Sequence, residues 1–445
     1  MRHTIIACCL LALSSASPAA GDYDEFEYQF TLSLERSALE GVTLGDDPQG
    51  DRLVIEEYEL ELDLEYALGD DAYLFFVGTL VDDSETLETA GNEEESRGLE
   101  VSQIGFGYLF GETVASELSV GRMEFLSASE WWVWWDEELD AVRLQSSYAS
   151  FSAMLALSSA QAPELTSDDF IDPEEEDLRR ALASLAWHID DEQALILYYL
   201  DQVDESSSYR IGEVEDIERV DEQDADLAWI GVSYLGEFDL AAAGVVALEL
   251  HAARVEGDET LYGFEESGDS AELEEIEQRD VEGSAQGILL RWSPAQLPDW
   301  TLVVGNARGS GDSNPDDGRD RSFRGSGLQG DNESFGELYQ PGLSNLEVDI
   351  LGIAWEFSDG VELALIAYDY RQRELAEEMR DVSIDLETTG LSRDLGQEFD
   401  LVLTVEARAG MELVLTMAEF DAGRAYGDYS NETSTFIKVE LDYEF

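Results

Sequence analysis

The side chains that usually make or break bonds are scarce in this chain. Cys8 and Cys9 are its only cysteines, and His3, His188 and His251 its only histidines, in 445 residues. That inventory assembles no zinc cluster, no Cys/His nucleophile and no disulfide framework. Carboxylates are the opposite case. With 102 Asp and Glu, a pair at any chosen spacing arises by chance, so paired acids give no sign of a hydrolase. Asp312, Asn314, Asp316 and Asp320 alternate as calcium ligands do, but Gly318 falls one place late for an EF-type loop and no Glu closes it. Trp131, Trp132, Trp134 and Trp135 offer faces for stacking, and read better as an aromatic girdle or a loop anchor. No cofactor is expected, a loop calcium apart, and no catalysis.

Charge narrows the classes further. Lys+Arg number 24, giving a formal net charge of −78, with Lys438 the only lysine. Such a surface repels phosphate backbones and excludes a nucleic-acid partner. Yet hydrophobic residues make up 44% and aromatics 10%, too many for a disordered acidic tail. An excess of Asp and Glu with almost no Lys is how proteins in high salt stay hydrated, where the Debye length shrinks to ~3 Å at 1 M.

The first twenty residues read as a secretory signal. Arg2 supplies the positive end, Ile5 to Leu13 the apolar run, and small residues lead to Ala20 before the charge changes at Asp22. Cleavage there removes both cysteines and leaves 21–445 as one exported domain. No later stretch has the ~20 apolar residues that a membrane helix takes. A membrane role then requires a closed β-barrel, which also satisfies every backbone group in lipid.

Period two supports that barrel. Tyr58, Leu60, Leu62, Leu64, Tyr66 and Leu68 alternate with Glu57, Glu59, Glu61, Asp63 and Glu65. A helix would scatter those acids, whereas a strand lines them along one face. Phe399, Leu401, Leu403 and Val405 alternate likewise, as do Ile437, Val439, Leu441, Tyr443 and Phe445. Short turns at Gly69–Ala72, Gly111–Thr113, Asp190–Gln193 and Ala409–Met411 are interleaved with long acidic stretches. Those are Asp82–Gly98, Gln161–Asp177, Asp201–Asp226, Val255–Gly283, Gly309–Ser344 and Gln372–Asp394. This predicts an all-β transmembrane antiparallel up-and-down β-barrel with short periplasmic turns and long extracellular loops, in the outer membrane of a Gram-negative bacterium. Strands of ~10 residues give about 16 to 18 of them and an aqueous channel. The closing strand with its terminal Phe445 looks like the signal read by the barrel-assembly machinery. Outer-membrane lipid surrounds such a barrel, and acidic loops are able to bridge through calcium to lipopolysaccharide phosphates.

Several segments resemble the alginate export family. They are Gly121-Arg122, followed by the Trp-rich run and Leu139-Asp140-Ala141-Val142-Arg143-Leu144, then Gly305-Asn306-Ala307-Arg308-Gly309-Ser310-Gly311 and Ser326-Gly327-Leu328-Gln329. Leu343-Ser344-Asn345-Leu346, Ile366-Ala367-Tyr368-Asp369-Tyr370-Arg371 and Asp394-Leu395-Gly396-Gln397-Glu398-Phe399-Asp400-Leu401-Val402 complete the set. The resemblance covers nearly all of the mature chain. It implies a monomeric barrel of about 18 strands through which an anionic exopolysaccharide such as alginate leaves by an arginine-lined constriction, in concert with a periplasmic export complex.

Arginine suits that task because its planar fork matches a carboxylate that has lost its water. Arg143 lies on the face opposite the apolar pair Val142 and Leu144 and so points inward; Asp369 and Arg371, on the face opposite Ile366, Tyr368 and Tyr370, do the same. Arg308 is assigned inward from the resemblance, since it shares a face with Leu302 and Val304. Arg122 needs a bulge to point inward. Arg321, Arg324, Arg373 and Arg393 lie in long loops that could fold inward as gates, and Asp400 alternates with Phe399 and Leu401 to face the pore. Two alternatives stand beside this reading: a general or cation-selective porin on the same scaffold, and a secreted soluble polysaccharide-binding β protein.

Overall fold

The computed structural model describes residues 26–41, 52–87, 92–129, 131–159, 178–204, 209–217, 220–267, 270–329, 335–377, 379, 382, 387–407 and 410–445. The expected signal segment and the acidic stretch Gln161–Asp177 lie outside the described residues. The strands run β1 (Phe26–Glu40), β2 (Arg52–Ala67), β3 (Ala72–Leu87), β4 (Asn92–Phe110), β5 (Ala115–Leu126), β6 (Asp136–Tyr148) and β7 (Phe151–Ser159). Next come β8 (Arg179–Asp190), β9 (Gln193–Val203), β10 (Val214–Asp216), β11 (Gln223–Asp239), β12 (Val245–Ser267) and β13 (Ser270–Ser293). The last are β14 (Trp300–Gly309), β15 (Arg319–Asp320), β16 (Leu346–Ser358), β17 (Val361–Gln372), β18 (Asp394–Glu406), β19 (Met411–Ala422) and β20 (Thr433–Glu444).

Eighteen of these pair antiparallel, each with its neighbours, and β1 pairs β20 to close the ring. The short β10 and β15 lie against β13, outside that count. The seam is fastened by reciprocal backbone bonds between Phe30 and Phe445, whose rings stack 5.6 Å apart. Closure leaves no free sheet edge, which is what hydrocarbon demands. Among the described residues no helix is long and apolar enough to cross a membrane; the strands do the crossing.

On β2 the expected alternation holds. Tyr58 and Leu60 are exposed on the outside, while the carboxylates of Glu57 to Glu65 line the interior. Outward rows elsewhere are apolar too, as at Ile104 and Phe106, Leu155 and Leu157, Leu351 and Leu365. Exposed apolar surface on this scale is stable only against lipid. Aromatic rings gather beside the short turns: Tyr108 with Phe110, Phe151 with Trp187, and Trp300 with Trp355. They form the interfacial girdle.

Two stretches read as loops are strands. Asp82–Gly98 and Val255–Gly283 continue β3 into β4 and β12 into β13, so these hairpins rise well beyond the other walls. Their acidity hid them, because above the bilayer the outer face is wet and acidic, and on the inner face Val255, Leu273 and Val281 are buried beside a carboxylate, Glu259.

The other long connections turn into the barrel. Residues 127–129, 131–135, 310–329 and 335–345 pack against inward residues of β6–β19, burying Trp134, Trp135, Leu328, Leu338 and Tyr339 in a core inside the ring. The inward rows there are small or aromatic, among them Ala253, Ala285, Ala307, Val348 and Tyr370. One arc of the lumen is thus filled, and the arc of β1–β5 keeps its acidic wall.

Candidate functional site

The four tryptophans between β5 and β6 belong to this inner core and not to the girdle. Trp134 stacks on Tyr198 at 4.9 Å, and Trp132 lies parallel to the His251 ring at 5.2 Å. The Trp134 indole N–H donates to Ser233 Oγ at 3.3 Å, and Ser233 bonds His251 Nδ1 at 2.8 Å. Ser129 Oγ donates to Glu249 at 2.6 Å, and Arg291 pairs with the same carboxylate. Their faces are therefore spent on protein, and they serve as the loop anchor. A side chain at Gly231 would overlap the Trp134 ring. Gly231→Ala is accordingly expected to dislodge the loop, raising single-channel conductance and red-shifting tryptophan emission while the barrel stays heat-modifiable; unchanged emission would mean that the ring has room to move.

A second loop is laced to the first. Ser326 Oγ donates to the Trp134 carbonyl at 2.9 Å, and the Asp136 N–H to the Leu328 carbonyl at 2.6 Å. The Trp229 indole N–H holds the Arg324 carbonyl at 2.9 Å. Between the two loops and the wall of β8–β12 lies a cavity of about 870 Å3. Arg180, Gln202, Gln223, Trp229 and Arg324 line it. Arg324 is 7% exposed; its guanidinium donates to Glu259 at 2.7 Å and to Asp320 at 2.6 Å. Burial works against the Asp320 carboxylate, but the Ser322 N–H and Arg324 outweigh it and hold its titration below the ordinary range. Arg180 sends Nε to the Gln202 amide oxygen at 2.9 Å.

The remaining arginines divide. Arg122 does turn inward, where Gly121 at φ 138° supplies the departure from regular strand geometry. It forks onto Asp140 at 3.2 and 3.3 Å and lines a recess of about 230 Å3 with Glu59, Glu61 and Glu100. Arg143 also faces in, donating to the Glu124 carbonyl at 2.8 Å with its guanidinium 5.4 Å from the Phe125 centroid. Arg321 stays within its own loop on Asp312 and Asp317, two of the acids in and beside the calcium-like series; the Asp316 side chain lies outside the described residues. Arg373 pairs with Glu347 and Arg393 with Glu374 at the long-loop rim.

Three inward assignments are reversed. Arg371 and Asp369 point outward and pair at 2.6 Å, while Tyr368 and Tyr370 point in. Arg308 is exposed on the outer wall, with Ala307 buried behind it. Arg308 keeps the outward face it shares with Leu302 and Val304, against the resemblance; for Arg371 and Asp369 the physical cause is the filled arc. Where loops pack inside the ring, apolar residues are wanted on both faces, and the rule that sends polar residues inward fails. Asp400 is inward as expected, yet fully buried, accepting the Glu337 N–H at 3.2 Å. Beside it Glu398 accepts the N–H groups of Leu338 and Tyr339 at 2.8 and 3.0 Å and the Tyr370 hydroxyl at 3.0 Å. Gly336, at φ 127°, lets the loop pass against that carboxylate. Arg180 and Glu259 escaped the sequence reading. The first follows another arginine into a row of Ala and Leu, and the second lay in supposed loop.

Comparison with protein families matches residues 86–440 to the family described as alginate export. The chain belongs to that family. It is 22% identical over 258 residues to the alginate production protein AlgE of Pseudomonas aeruginosa, a match spanning 52% of this chain and 51% of that protein. The chain thus aligns with about half the length of that curated relative. Its fold resembles those of P. aeruginosa OccK5 (TM-score 0.60, 12% identity, 96% of this chain and 99% of that one) and the outer membrane protein OprD (TM-score 0.55, 11% identity, 97% and 96%). It is a closed β-barrel of the Gram-negative outer membrane.

Proposed function

We propose that this porin passively conducts an anionic polysaccharide of the polyuronate class outward, making and breaking no covalent bond. The carrying observation is the cavity held between two inward-folded loops, with Arg180 and Arg324 on its wall. A uronate carboxylate entering it would exchange water for guanidinium donors, and the Gln202, Gln223 and Gln329 amides suit sugar hydroxyls. The partners in this reading are the polysaccharide and the surrounding lipid, with the barrel acting as a monomer.

Block of single-channel current by uronate oligomers tests it. Arg180→Gln is expected to weaken block on the order of tenfold, the worth of one charge-assisted bond. Neutral oligosaccharides of equal length blocking as well as uronates would sink the anionic assignment. The acidic wall of Glu57 to Glu65 favours one other reading, a cation-selective porin on the same barrel. Reversal potentials across a low-salt gradient separate them: strong cation preference without uronate block selects the second.

A further inference from the structure

The reversed arginines stand on a part of the outer wall with its own pattern. Along one tier, Gln286 on β13 is directly opposite Arg308 on β14, Arg308 opposite Glu347 on β16, Glu347 opposite Arg371 on β17, and Arg371 opposite Asp394 on β18. The tier beneath carries Asn306 on Asp349 at 2.8 Å and Gln397 on Asp369 at 2.9 Å. Lipid-exposed Val304, Leu351, Leu365 and Phe399 lie immediately below on the same face. The two tiers therefore stand at headgroup height, and an outward arginine is tolerated there because its cost falls off from the midplane toward the interface.

We infer that this outer face of β14–β18 docks the phosphate groups of outer-leaflet lipopolysaccharide. Arg308, Arg371, Arg373, Arg393 and Arg424 gather here in a chain whose basic residues total 24. Among the described residues Arg308 meets no carboxylate; with the Gln286 amide turned to present its oxygen, Nε and Nη2 donate to it. Arg371 is half exposed and Arg424 more so, leaving N–H donors beyond those their carboxylate partners use. A lipid phosphate is the anion that reaches this height from outside, and forked guanidinium groups match it. The rim of β11–β13 is more acidic, with Asp226, Asp258 and Asp280 standing side by side and Arg254 and Arg319 each held by carboxylates.

The test is native mass spectrometry of the detergent-purified barrel with lipid A bearing both phosphates. Arg308→Gln breaks no ion pair and is expected to weaken retention about tenfold. Adding Arg371→Gln and Arg424→Gln should weaken it further, whereas Arg97→Gln on β4 should change nothing. Dephosphorylated lipid A binding equally well, or retention unaffected by Arg308→Gln, overturns the inference. Inorganic phosphate is expected to leave the unfolding temperature alone; stabilisation matching that of lipid A would mark a free-anion site and overturn it too. Uronate block in Arg308→Gln should equal that of the parent, so this inference and the polysaccharide reading fail separately.

Discussion

Replacing Arg324 with glutamine is expected to open the channel. The guanidinium is buried and bridges Glu259 and Asp320, whose side chains are 0% and 8% exposed. Its loss strands two carboxylates in the lumen core. Breaking a buried ion pair from one side costs about 3–5 kcal/mol, and two acids left facing each other push toward the upper end. The strand ring does not depend on this contact, so the cost falls on the loop. Residues 319–329 should leave the wall, raising single-channel conductance and weakening uronate block by more than tenfold. Glu259→Gln in the same chain should restore part of both by removing one stranded charge. Acid tests the same latch. Because Asp320 titrates below the ordinary carboxylate range, its contribution is complete above that range and disappears only as pH falls through the lowered value. Conductance of the parent should therefore hold steady from neutral pH to about 4 and rise below it. Arg324→Gln showing the parent's conductance and block would mean that the loop is held without this cluster.

Glu398→Ala is the second large effect, on the other end of the same connection. This single carboxylate gathers the Leu338 and Tyr339 N–H groups and the Tyr370 hydroxyl. Each such bond contributes about 0.5–1.5 kcal/mol, and the truncation also leaves two backbone donors buried at about 1–3 kcal/mol each. Residues 335–340 should lose their fixed path over β17–β19, seen as rapid limited proteolysis and enlarged current noise. Glu398→Gln keeps an acceptor and should fall between parent and alanine. Resistance to protease in the alanine variant would show that the Tyr339–Phe420 stack, at 4.6 Å, suffices alone.

The barrel itself was legible because β2, β18 and β20 obey the alternation that lipid imposes, and the order of matched segments carried the family. The inward-turned loops were not legible. Nothing in the spacing of residues 310–345 says which side of a wall they pass, and once inside they change what the wall must present. Tyr368 and Tyr370 look lipid-facing by composition and are buried, Tyr370 against Tyr339 and Tyr368 stacked on Tyr370. Arg371 went astray for that reason, and Arg308 because the resemblance overrode the face it shares with Leu302 and Val304, whereas the apolar neighbours of Arg143 do face outward. Arg324 was named as a loop residue able to turn inward, yet its partner Glu259 lay 65 positions earlier in sequence, beyond any local signal.

The acidic arc has a mechanical corollary. Glu27 faces Glu65 and Glu35 faces Glu57 directly across the β1–β2 ladder, so like charges lean on one another where no packed loop braces the ring. Concentrated electrolyte quiets that push and dilute electrolyte releases it. The hoop is stiff on its stuffed side and springy on the other, and the springy side is the one that ionic strength can tune.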